Sequence, residues 1–280
     1  MLQKQTVRFA FLAFALLATI RPAFAGKKSY VGQRVPTNQQ VSMDAIKHQS
    51  WDKLLKKYVD VNGLVDYRSW KASGTDMSEL DAYLRALSTA NPKVRASRES
   101  QLAFWINAYN AVTVRGMLKE YPTSSIRNHT AKSLGYNIWH DLLLTVGDKG
   151  YSLDQIEHKI LRPMKEPRIH FAIVCASTGC PRLINEAYVS SKLDEQLRIN
   201  AEDFFSRKQN FRFDEQSGTM HLSEILSWFG EDFGRNQAEQ LRTMSKWLPT
   251  KAAQRGAAQN AVRVKFLEYD WSINERRTKA

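Results

Sequence analysis

Residues 99–120 constrain this chain most. Leu102, Trp105, Ile106, Tyr109, Val112 and Met117 recur there at helical spacing, and Tyr121-Pro122 ends the run. A helix this long and apolar has to be buried, so the rest of the chain is expected to pack around it. Inside it, Phe104-Trp-Ile-Asn107-Ala-Tyr109-Asn110-Ala111 sets two carboxamides three residues apart on one face. Asn is a poor helix former, and a buried amide must find partners. Bonding neighbouring loops is the structural use of such a pair. Orienting a histidine or donating to an oxyanion is the functional one, with Asn107 as the candidate.

Shorter elements follow from local pattern. Trp51, Leu54, Leu55 and Tyr58 mark a helix, Asp60-Val-Asn-Gly63 breaks it, and residues 64–67 read as a short strand. Leu80, Tyr83, Leu84 and Leu87 give a second helix, ended by Asn91-Pro92. Residues 139–146 are a strand or a connector. Ser152 and Gln155 form a capping box opening a helix over 153–161, closed by Pro163 and Pro167. The apolar run 169–174 lacks helical period and reads as a buried strand. A helix over 193–205, a hairpin pairing 211–213 with 220–222, a helix carrying Ile225, Leu226, Trp228 and Phe229, a helix near 244–248 and a strand within 261–269 complete the chain. The expected fold is α+β: a helix-rich single domain with a small antiparallel sheet against a helical layer.

The first 25 residues have the layout of a cleavable secretory signal: basic Lys4 and Arg8, an apolar run over 9–20, and Ala23-Phe-Ala25 before Gly26. A run of about a dozen residues is too short to span a bilayer, which takes roughly 20. The expected organisation is a signal peptide over 1–25, an extended or disordered lead over 26–46, one domain over 47–272 and a basic tail over 273–280, working in the periplasm or outside the cell. No transmembrane segment is expected after cleavage. Removing three basic residues and no acidic ones takes the net charge from +13 to +10. Lys and Arg are scattered among acids rather than blocked, which argues for a solvated basic surface and against a specific nucleic-acid partner.

Chemistry concentrates in His170-Phe-Ala-Ile-Val-Cys175-Ala-Ser-Thr-Gly-Cys180-Pro181. A nucleophilic cysteine needs a lowered thiol pKa, supplied by an imidazole or a helix N-terminus. Cys180, between Gly179 and Pro181 where a strand would give way to a helix, is preferred over Cys175, which an apolar run would bury. On a strand, His170 and Cys175 would stand roughly 16 Å apart, whereas Cys180 can fold back. His170 is the first candidate base and His158 the second, with Glu157 or Asn107 to orient the ring. The Cys-x4-Cys spacing lies at the loose end of zinc patterns, so no metal is expected. No phosphate loop, Gly-x-Ser-x-Gly elbow or His-Glu-x-x-His helix occurs, so no cofactor is expected either. A disulfide or redox use of the two cysteines is a further alternative.

These residues also carry a resemblance. Phe104-Trp-Ile-Asn-Ala-Tyr-Asn-Ala111, Tyr121-Pro with Ser125-Ile126, Leu153-x-x-Ile156-Glu157-His158 with Ile160-Leu-Arg162, Pro167 to Pro181, and Leu222-Ser-x-Ile225 with Trp228 resemble the family catalogued as domain of unknown function 547. The resemblance runs over about residues 51–233. The combination of one histidine, one turn cysteine and a helical Asn-rich motif is similar to papain-like and transglutaminase-like cysteine hydrolases, an analogy of fold. It implies an exported cysteine hydrolase or acyltransferase acting on a peptide or amide small-molecule substrate. Cys180 would be the nucleophile, and His170, His158, Glu157 and Asn107 would assist it. The alternative is a non-catalytic peptide-binding or scaffold domain.

Overall fold

A computed structural model describes residues 28–131 and 136–276. The expected signal peptide lies outside the described residues, as do residues 277–280 of the basic tail. The fold is α+β and helix-rich, with two small three-stranded sheets.

Helix α4 (Arg98–Glu120) is the axis of the molecule, and it is buried on all sides along most of its length. The Ser97 hydroxyl accepts from the Ser100 backbone N–H at its start. Around it pack α1 (Gln49–Tyr58), α2 (Tyr67–Ala72) and α3 (Gly74–Leu87). The Trp51, Tyr58, Trp70 and Tyr83 rings of these helices stack at centroid distances of 4.7–6.1 Å. Each ring so buried is worth on the order of 1.5–3 kcal/mol by transfer from water.

Both sheets are mixed rather than purely antiparallel. In the first, β1 (Ser29–Val31) runs parallel to β2 (Leu142–Val146), which pairs antiparallel with β3 (Lys149–Ser152). In the second, the hairpin β4 (Phe211–Asp214) and β5 (Thr219–Ser223) takes β6 (Arg263–Leu267) as a parallel third strand. Both parallel pairings join residues far apart in sequence, which no local pattern reveals. Strand β1 also shows that the lead wraps onto the domain from residue 28 onward. Residues 274–276 are likewise pinned: the Asn274 N–H donates to the Ala176 carbonyl, and the Arg276 guanidinium meets the Asp66 carboxylate at 2.8 Å.

Several local expectations are corrected. Residues 169–174 are not a strand: Pro167–Phe171 form a 3-10 helix, followed by an irregular segment. Apolar side chains without helical period satisfied the strand pattern, but the backbone there bonds within its own turn and to side chains instead of to a neighbouring strand. No helix opens directly at Cys180-Pro181, because residues 181–189 form a loop. Residues 67–72 are helical, capped by the Asp66 side chain. The capping box of Ser152 and Gln155 is present, and the helix it opens passes into a π-helical stretch at Ile156–Leu161.

Two hydrophobic clusters divide the interior. One surrounds α4 and the helices packed on it; the other lies between the helix Leu193–Ser206, the second sheet and the C-terminal helices. Cys175 and Trp271 pack against both. The seam between the clusters is where the site lies.

Candidate functional site

Asn110 on α4 shapes the cysteine segment. Its Nδ2 donates to the Ala172 carbonyl at 2.9 Å, and its Oδ1 accepts from the Val174 N–H at 3.0 Å. One side chain thus satisfies the backbone that a strand partner would otherwise have bonded. Asn107 does the same at the Tyr188 backbone, with bonds of 2.7 and 3.0 Å. Both ends of that amide are taken, so Asn107 does not orient a histidine.

Beyond Val174 the chain turns sharply. Ala176 adopts φ +56°, a left-handed conformation that costs a non-glycine residue on the order of 1–2 kcal/mol. The Cys180 N–H then closes back onto the Ser177 carbonyl at 3.1 Å. A C-terminal strap holds the turn from outside: the Gly179 N–H donates to Asp270 and the Thr178 N–H to Ser272, at 2.8 and 2.7 Å. A Cβ on Gly179 would lie 2.9 Å from the Asp270 nitrogen, so this close approach requires glycine.

The turn brings the two free thiols together, with Cys175 Sγ 3.1 Å from Cys180 Sγ. Cys175 Sγ also lies within hydrogen-bonding distance of Ser177 Oγ (3.0 Å) and Tyr269 Oη (3.1 Å). Hydrogen bonding from Cys180, with Ser177 and Tyr269, outweighs burial and draws the Cys175 thiol down. Cys180 is buried behind it and accepts the Cys175 N–H at 2.9 Å. Burial, reinforced by the neighbouring sulfur, pushes its thiol well up. The expected preference therefore reverses. Cys175 is the sulfur poised to ionise, because its activators are hydroxyls and a second thiol rather than a helix N-terminus.

His170, on the 3-10 helix, is buried with its ring stacked on Phe229 at 4.3 Å. Its Nε2 lies 2.7 Å from Asp232 Oδ2. Arg162 grips the same carboxylate, Nε to Oδ2 at 2.6 Å, and also pairs with Glu231. Burial alone would raise the Asp232 carboxyl, but the bonds from His170 and Arg162 outweigh it and hold it at about 2. For His170, burial lowers the pKa against the pull of Asp232, favouring the neutral ring. With an ionised carboxylate on Nε2, the proton of the neutral ring belongs there and Nδ1 carries the lone pair.

Glu157 accepts from the Tyr109 hydroxyl at 3.2 Å. Burial lifts its carboxyl to about 7 against that hydrogen bond, and the charge of Cys175 adds to the rise. It does not pair with Arg162 or Arg168, which are held by other acids. His158 instead accepts from Arg162 at its Nδ1, at 3.0 Å.

A cavity of about 250 Å³ joins these groups. Cys175, Cys180, His170, His158 and Glu157 all line it, and an aromatic wall of Trp139, Trp228, Tyr269 and Trp271 closes one side. Trp228 stacks on Trp271 at 5.8 Å while remaining 45% exposed. Of the five expected residues only Asn107 stands away from the cavity. Among the described residues neither sulfur is hydrogen-bonded to an imidazole. No group of three or more His, Cys, Asp or Glu among them is arranged to hold a metal ion.

Asp232, Tyr269, Ser177 and Tyr109 were not legible as site residues. Asp232 follows Trp228-Phe229-Gly230-Glu231 at the end of a segment readable only as an apolar helix, and Tyr269 ends a run readable only as a strand. An acid directly after that aromatic stretch was the one available signal.

Residues 94–205 match the family described as "Protein of unknown function, DUF547". The matched segment contains Tyr109, Glu157, His158, His170 and both cysteines, while Trp228, Asp232, Tyr269 and Trp271 lie beyond it. No curated protein and no solved structure matches the chain. Among the described residues no helix is long and apolar enough to cross a membrane.

Proposed function

Residues 94–205 belong to the DUF547 family, and on that premise we propose that the protein is an exported thiol hydrolase or acyltransferase acting on a peptide or amide bond, with Cys175 as the attacking sulfur. The observation that carries this reading is a cavity-lining sulfur with Cys180, Ser177 and Tyr269 within 3.1 Å of it, in the same cavity as a His170–Asp232 pair. Such an environment favours a thiolate near neutral pH.

In this reading the Cys175 thiolate attacks the substrate carbonyl, and the S–C bond forms as the C–N bond breaks. The departing amine needs a proton. Glu157, lifted to about 7 by burial, is a carboxylic acid able to supply it at neutral pH. His170, with its proton held on Nε2 by Asp232, offers Nδ1 as the base that activates water for hydrolysis of the thioester. The aromatic wall supplies apolar surface for the acyl side of the substrate. Asn107 and Asn110 serve as braces of the loops and have no chemical step.

The test is amine release from short peptides, γ-glutamyl peptides and cell-wall fragments by wild type, Cys175→Ala, Cys180→Ala and His170→Ala. Loss of turnover by orders of magnitude in Cys175→Ala is expected. Equal turnover by that variant would overturn the assignment, and ligand binding without turnover in any form would leave a binding domain. The export half of the proposal rests on residues 1–25. N-terminal sequencing of periplasmic or secreted protein should begin near Gly26, and full-length chain recovered in the membrane would overturn it.

A further inference from the structure

Acyl transfer uses one sulfur, yet the cavity has two in contact. A hydroxyl in place of Cys180 would serve the same hydrogen-bonding purpose. The arrangement is also asymmetric: both sulfurs line the cavity, 3.1 Å apart, but Cys175 is half-buried while Cys180 is buried. The loop between them is locked in this shape. Asn110 holds the entering backbone, the left-handed Ala176 makes the reversal, and the strap bonds Thr178, Gly179 and the Ala176 carbonyl. The sulfurs therefore face each other without a search through loop conformations. A disulfide needs them at about 2.0 Å, so roughly 1 Å of side-chain movement separates the dithiol from the bond.

We propose that Cys175 and Cys180 form a reversible dithiol–disulfide couple that exchanges with low-molecular-weight disulfides entering the cavity, Cys175 attacking and Cys180 resolving. In the first step the Cys175 thiolate attacks one sulfur of a disulfide RS–SR. The protein–S–SR bond forms and RS⁻ leaves. In the second step Cys180 gives up its proton and attacks Cys175 Sγ. The Cys175–Cys180 bond forms, the second RS⁻ departs, and that proton with the one Cys175 had lost on ionising yields two RSH. Two electrons pass from the protein to the small disulfide, and a dithiol reductant reverses the process. The partition of roles follows the surroundings: the thiol that meets an external disulfide needs access and hydrogen-bond donors, while the resolving thiol must also lose its proton but attacks a sulfur already beside it.

One consequence touches the acyl-transfer reading, because the closed disulfide would cap its nucleophile. The couple itself requires no carbonyl chemistry, so the two ideas fail separately, one in amine release and the other in thiol exchange.

The probe is bis(2-hydroxyethyl) disulfide, added to the reduced mature chain at pH 7. Acid-quenched samples are followed by intact mass and by thiol count. Wild type is expected to lose both thiols together, to gain no adduct and to regain both thiols with dithiothreitol. Cys180→Ser is expected to stop at a stable mixed disulfide on Cys175. Cys175→Ser is expected to react at least about tenfold more slowly. Persistence of both thiols in wild type, or accumulation of its mixed disulfide without closure, overturns the proposal. Equal rates for Cys175→Ser and wild type do the same. The wild-type product decides the matter even where a variant fails to fold.

Discussion

His170 and Asp232 are 62 residues apart in sequence and 2.7 Å apart in space, Nε2 to Oδ2, with Arg162 on the same carboxylate oxygen at 2.6 Å. The contact joins the family-matched segment to the C-terminal part of the chain and sets the tautomer of the one buried histidine in the cavity. Removing the acid takes a carboxylate from between a guanidinium, left with Glu231, and the His170 imidazole. Asp232→Ala is expected to lose roughly 3 kcal/mol of stability, read as a lowered urea midpoint. Because the carboxyl is held at about 2 rather than its usual 3.8, its contribution is complete above pH 4 and disappears as pH falls toward 2. The gap between wild type and Asp232→Ala should narrow as pH falls through that window, and a gap as wide at pH 2 as at pH 7 would contradict the pairing.

The thiols should titrate apart. Iodoacetamide labelling across pH 5–9 is expected to rise at Cys175 with a midpoint below that of an ordinary thiol, because hydrogen bonds stabilise the thiolate, and to leave Cys180 largely unlabelled. Tyr269→Phe and Ser177→Ala each remove a neighbour within 3.1 Å of that sulfur and should move the midpoint upward. A midpoint unchanged in both variants would mean that neither hydroxyl acts on Cys175.

Glu157 provides a stability signature with the opposite sign. Its folded-state carboxyl is raised from 4.5 to about 7 by burial, so stability is greatest below pH 4.5 and declines as pH rises to 7. Glu157→Gln removes the cost of ionising in that environment. The variant should exceed wild type at pH 8 by something on the order of 1–3 kcal/mol and match it near pH 4. Denaturant titrations at the two pH values check this, and a variant weaker than wild type at pH 8 would indicate an ionised, paired Glu157.

Asn107 and Asn110 are each buried and bonded at both ends of the amide. Either Ala variant is expected to cost about 1–3 kcal/mol for the backbone groups left without partners. Only Asn110 holds the cysteine segment, so only Asn110→Ala should also change the labelling midpoint of Cys175. Losses below about 0.5 kcal/mol would place the side chains at the surface.

Gly179→Ala tests the strap. The added methyl meets the Asp270 backbone at 2.9 Å, so the strap must retreat and carry Tyr269 away from Cys175. Trp271 fluorescence should shift and the Cys175 labelling midpoint should rise. Wild-type values for both would mean that the contact is not made.

The long buried helix, the other helices with apolar periodicity, the capping box and the hairpin were all readable from residue order, because each is encoded by neighbours within a turn or two. The same holds for the concentration of histidine and cysteine over residues 170–180. Local pattern misled at residues 169–174, since a short apolar run has the same appearance whether a strand or a helix side chain satisfies its backbone. Asn110 supplies that bonding from 62 positions away. The parallel pairings of β1 with β2 and β5 with β6, the clasp of residues 269–276 over the cysteine turn, and the meeting of Asp232 with His170 are likewise contacts between distant segments. They are decided by tertiary packing and have no local signature. Sequence alone therefore determined which segment carries the reactive groups. Tertiary packing decided which hydroxyls and which buried groups surround each sulfur, and a thiol's pKa is set by those surroundings and not by its neighbours in the chain.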